Sequence, residues 1–94
     1  MKVTVRIGEL LWQDAERGDI ELELEESATI ADAIAALYAR FPQLAEELLP
    51  GGKTRSGLPY HFFLNRRLVP ETALSSQRLR AGDRLHILSP AAGG

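Results

Sequence analysis

The chain contains no cysteine. Disulfides, thiolate nucleophiles and Cys-based zinc sites are excluded, so any sulfur chemistry must use something other than a side-chain thiol. Histidine is scarce: His61 and His86 have no obvious third ligand, and a metal pair competes with ordinary surface or interface roles. Long apolar runs are also missing. No stretch approaches the roughly 18 residues of a membrane span. Met1-Lys2-Val3-Thr4-Val5 alternates instead of building a signal-peptide core, which predicts a cytoplasmic protein with no membrane partner. Charge of one sign is nearly absent in sum, the net value being −2, so nothing attracts nucleic acid overall and an electrostatic partner must meet a local patch. Such patches are segregated along the chain. Acids dominate the first half (Asp19 to Glu26, Glu46, Glu47), and bases dominate the second (Lys53, Arg66, Arg67, Arg84).

What remains is enough for one domain. At 94 residues there is no room for two cores, and an apolar share of 45% lies far from the composition of disordered chains. Val3, Val5 and Ile7 alternate with Lys2, Thr4 and Arg6, the period of a half-buried strand. Ile20 to Glu25 repeats the pattern after the turn residues Arg17-Gly18-Asp19, predicting a hairpin. Thr29 and Asp32 have capping-box spacing, and Ile30, Ile34, Leu37, Tyr38 and Phe41 form a helical apolar stripe that stops at Pro42. A short helical turn is expected over Leu44 to Leu49, ended by Pro50-Gly51-Gly52, with a polar surface loop to Gly57. Tyr60 to Leu64 reads as a strand, Asn65-Arg66-Arg67 as a turn, and Leu68-Val69 as a short strand stopped by Pro70. A connection through Leu74 and Leu79 leads to Gly82-Asp83, a turn into the last strand, Arg84 to Leu88. The result is an α+β layer pair, with the first and last strands expected side by side and parallel at the sheet centre.

Gly82-Asp83-Arg84-Leu85-His86-Ile87-Leu88-Ser89-Pro90-Ala91-Ala92-Gly93-Gly94 resembles the C-terminus of the MoaD/ThiS family of ubiquitin-like sulfur carriers. That family shows a Gly-Asp turn, an apolar strand, proline, small residues and a terminal Gly-Gly. Phe63-Leu64-Asn65-Arg66-Arg67-Leu68-Val69 is similar to its strand ending in Asn, followed by a turn and an apolar pair. The resemblance implies a ubiquitin-like β-grasp over residues 1–89, a mixed sheet of four to five strands on one main helix, and a flexible tail over 90–94. It also implies a carrier without catalytic residues or bound cofactor. An E1-like adenylyltransferase of the MoeB/ThiF type, using ATP with magnesium, would activate Gly94, and a persulfide would convert it to a thiocarboxylate. A downstream enzyme such as the molybdopterin synthase large subunit would accept the sulfur, making this chain the small subunit in molybdenum cofactor synthesis. Carriers for cysteine, thiamine, thiolated tRNA or another sulfur metabolite remain open, as does a protein modifier ending in an isopeptide bond.

The tail residues suit that chemistry. Gly93 and Gly94 put no Cβ in the way of backbone donors to the acyl group, Ala91 and Ala92 are nearly as slim, and Pro90 stops the strand from pairing onward. Phe63, His61, His86 and Leu88 are expected on the sheet face away from the helix, as a partner-docking patch or as a surface covered by loops or a second copy. Arg66 and Arg67, with Arg78, Arg80 and Arg84, either frame the tail or form a solvated basic face. Leu11 and Trp12, in the long Gly8–Gly18 loop, are read as a cover over one end of the core or a docking element. Gly51-Gly52-Lys53-Thr54 mimics a phosphate loop but has Glu47 where that motif requires glycine.

Overall fold

Alternation in the first strands is what closes the core. In the computed structural model, which describes residues 1–8, 11 and 18–90, β1 (Lys2–Ile7) pairs antiparallel with β2 (Asp19–Glu23). Val3 faces Leu22 and Val5 faces Ile20, so one side of this hairpin is wholly apolar. The helix α1 (Ile30–Arg40) covers that side with Ile30, Ala33 and Leu37. Its start is the predicted capping box: Asp32 N donates to Thr29 Oγ1 at 3.3 Å, and Thr29 N donates to Asp32 Oδ2 at 2.9 Å. Proline cannot continue α1 but suits a first helical position, and α2 (Pro42–Glu47) begins there.

The Leu44–Gly57 region departs from expectation. The helix starts and ends earlier, at Pro42 and Glu47; Leu48–Leu49 (β3), expected as its last residues, pairs with Lys53–Thr54 (β4), expected in a polar loop, in a small separate hairpin. Gly51 and Gly52 have φ of +96° and +78°, which lets the chain reverse there. Tyr60 anchors it, its hydroxyl donating to the Leu49 carbonyl at 2.6 Å.

β5 (His61–Leu64) and β6 (Arg67–Val69) are joined by Asn65 and Arg66, both in left-handed conformation at φ 48° and 73°. This two-residue reversal matches strand twist, so Arg67 belongs to the strand rather than to the turn predicted for it. A 3-10 turn at Glu71–Ala73 then leads past Arg78, bridged to Thr29, into β7 (Arg84–Leu88). The main sheet runs β2-β1-β7-β5-β6, with β1 and β7 parallel at its centre, as expected. The predicted alternation of β7 holds, Leu85 and Ile87 lying in the core beneath α1.

Candidate functional site

Strand register decides which side chains share the face opposite α1. Across the sheet, Asp19 is paired with Arg6, Arg6 with His86, His86 with Phe63, and Phe63 with Leu68. These five residues, one per strand, form a single row that is charged at the β2 edge and apolar at the β6 edge. One step toward the end of β7, His61 faces Leu88. Leu88 is seated over Gly8, where an added Cβ would meet Leu88 Cδ2 at 3.2 Å. Leu68 and Leu88 are 59% and 38% exposed, so this half presents apolar carbon to solvent beside the end of β7.

The predicted patch of Phe63, His61, His86 and Leu88 is thus assembled on one face, and Leu68 joins it. Leu68 was legible only as a strand residue, because its side depends on the two-residue turn that sets the register. Arg67 does not join: it is paired with Leu64 and lies on the opposite parity, lining a depression with Val69 and Pro70. Nor do the arginines form one frame. Arg66 and Arg84 border the outer face with Arg6 and His86, whereas Arg78 is held against Thr29 on the route into β7.

At the far end of β7 the motif residues lock to one another. Asn65 Nδ2 donates to Asp83 Oδ1 at 2.9 Å, and Arg84 N donates to Asn65 Oδ1 at 3.0 Å. Arg80 N donates to Asp83 Oδ2 at 2.7 Å, and Gly82, at φ +86°, donates its amide to Lys2 O at 2.8 Å. The Asn and the Gly-Asp pair therefore anchor the start of the strand whose other end leads to Pro90. Ser89 points back into the core, its Oγ buried with no hydrogen-bond partner among the described residues, and Pro90 is exposed. Ala91, Ala92, Gly93 and Gly94 lie outside the described residues, as does Trp12, while Leu11 is buried in the core.

Burial, reinforced by Arg84 and Arg6, holds His86 below the usual imidazole range and favours its neutral form near pH 7, with Asp19 opposing. His61 and His86 share the face on adjacent strands, but among the described residues no three His, Cys, Asp or Glu side chains converge. The Gly51-Gly52-Lys53-Thr54 stretch is not a phosphate cradle. Its Lys53–Thr54 half is strand β4 with no helix directly after it, and the Gly51 amide donates to Glu71 Oε1 at 3.2 Å.

Comparison with known families places this geometry. The ThiS family model matches residues 10–94, and therefore the clamp, β7 and the terminal glycines together. The chain belongs to the ThiS family. Solved structures similar to this ThiS-family chain share its ubiquitin-like β-grasp. One is a Pyrococcus furiosus protein described as molybdopterin converting factor, subunit 1, at 25% identity and TM-score 0.72, covering 95% of this chain and 97% of that one. SAMP1 from Haloferax volcanii aligns at 21% identity and TM-score 0.70 over 100% of both chains. The small archaeal modifier protein 1 of Methanosarcina acetivorans aligns at 20% identity and TM-score 0.70, covering 99% of this chain and 96% of that one. No curated protein matches the sequence. Among the described residues, no helix is long and apolar enough to cross a membrane.

Proposed function

We propose that this ThiS-family chain is a cytoplasmic sulfur carrier whose working group is the Gly94 carboxylate. The observation that carries the reading is the family match running to residue 94, through a central strand clamped at one end and leading to Pro90 at the other. A carboxylate is a poor acylating group. An E1-like partner supplies ATP with magnesium; the Gly94 oxygen attacks the α-phosphorus, pyrophosphate leaves, and an acyl-adenylate results. A persulfide sulfur then attacks the acyl carbon and AMP leaves. A second thiol cleaves the S–S bond, leaving the thiocarboxylate on Gly94 and a disulfide on the partner. The cysteine-free chain supplies only the acyl end and a docking face.

Molybdopterin synthesis, with this chain as the small subunit of the synthase, is the acceptor pathway that the likeness to the P. furiosus protein supports. A modifier ending in a lysine isopeptide is a second reading, supported by the likeness to structures named as small archaeal modifiers. Mass spectrometry after incubation with ATP, an E1-like enzyme and a persulfide donor separates the two. Replacement of one oxygen by sulfur at Gly94 is the expected product. Lysine conjugates in its place would support the modifier, and an unchanged mass with every adenylating enzyme tried would sink both. Deleting Gly94 must abolish the sulfur adduct.

A further inference from the structure

The basic end of the outer face has a feature that acyl activation at Gly94 does not require. Arg6, Asn65, Arg66, Arg84 and His86 surround a cavity of about 490 Å³. Three guanidinium groups meet there, from β1, the β5–β6 turn and the start of β7. Asp19 bridges two of them, with Oδ2 at 3.0 Å from Arg84 Nη2 and Oδ1 at 3.6 Å from Arg6 Nη1. All three side chains are at least 40% exposed, so these ion pairs compete with water and are readily exchanged. Arg66 forms no ion pair among the described residues. It also occupies a left-handed position, φ 73°, that favours glycine, and so puts a guanidinium at the rim against a backbone preference.

We propose that this cavity is a carboxylate-binding subsite that receives an acidic segment of the protein docking on the outer face, and that Asp19, paired with two of its arginines in the free chain, competes with that segment for them. Three observations favour a protein carboxylate. Two of the cavity's arginines already share a carboxylate, that of Asp19, the group guanidinium geometry suits best. Beyond the cavity the row runs on from His86 to Phe63 and Leu68, which only a ligand with apolar side chains would cover. The whole chain carries net charge −2, which repels an extended polyanion. Docking then exchanges one counter-ion for another: the partner's carboxylate takes Arg84 and Arg6 and reaches Arg66, and Asp19 returns to water. The subsite rests on the carrier reading only for the existence of a docking partner.

The test is a ¹H–¹⁵N NMR titration of the full chain with a capped hexapeptide of alternating glutamate and leucine. Inorganic phosphate and a single-stranded oligonucleotide serve as comparison probes at matched ionic strength. Saturable shifts at residues 65–67 and 84–88 are expected with the peptide only. Arg84→Gln should weaken the peptide about tenfold, and Arg6→Gln reads the same contact if that variant folds poorly. Asp19→Asn, which keeps the shape and removes the competing charge, should tighten it about threefold. Equal response to phosphate or oligonucleotide, no response to peptide, weaker binding by Asp19→Asn, or peptide-free shifts that grow with protein concentration would each overturn the proposal. Thiocarboxylate formation is read separately by mass. Peptide binding without sulfur loading counts against the carrier reading alone, and sulfur loading without peptide binding counts against the subsite alone.

Discussion

Asn65 engages both ends of its carboxamide, donating to Asp83 and accepting from the Arg84 amide, while its backbone sits at φ 48°. Asparagine tolerates the left-handed region because its short polar side chain can bond locally. Asn65→Ala should lose both bonds and add backbone strain, costing about 2 kcal/mol by chemical denaturation. Asn65→Gly loses the bonds but relieves the strain, and should cost about 1 kcal/mol less than alanine. Equal costs would show that the conformation contributes nothing. Tyr60 to Leu64 was legible as a strand, and Asn65 as the first residue of its turn, from residue type alone. That Asn65 also grips the Gly82-Asp83 turn was not, because the two lie 18 positions apart in sequence and meet only after β5 and β7 pair.

At the scale of elements, local signals were the most readable. The Thr29–Asp32 capping box and the alternation in β1 and β2 act over a few residues, so the pattern itself carries the information. Thr29→Ala should destabilise the protein by about 1 kcal/mol, read from the midpoint of a urea transition with its slope unchanged. The β3–β4 hairpin was hidden for the opposite reason. Two-residue strands have too few positions to show a period, and this pair is held by non-local contacts such as Tyr60 on the Leu49 carbonyl.

At the scale of the whole molecule, two phenols, half-buried Tyr38 and buried Tyr60, tie distant segments to β3. Tyr38 donates from α1 to Leu48 O at 3.5 Å, and Tyr60, just before β5, donates to Leu49 O. Burial pushes Tyr38 up to about 12 from the ordinary 10.0, with Tyr60 adding to the effect, and burial raises Tyr60 also. Because the folded state holds the Tyr38 proton more tightly, its contribution is complete below pH 10 and falls away as pH climbs toward 12. Tyr38→Phe should flatten the alkaline decline in melting temperature across that window; an unchanged decline would assign it to other groups. The sequence by itself determined the α+β class, the apolar sides of β1, β2, β5 and β7, the helix start and the terminal motif, since these depend on neighbours within one turn or one pleat. Only the tertiary structure decided that Asp19, Arg6, His86, Phe63 and Leu68 form one row, because pairing β1 with β7 and β7 with β5 joins residues whose proximity no local period encodes.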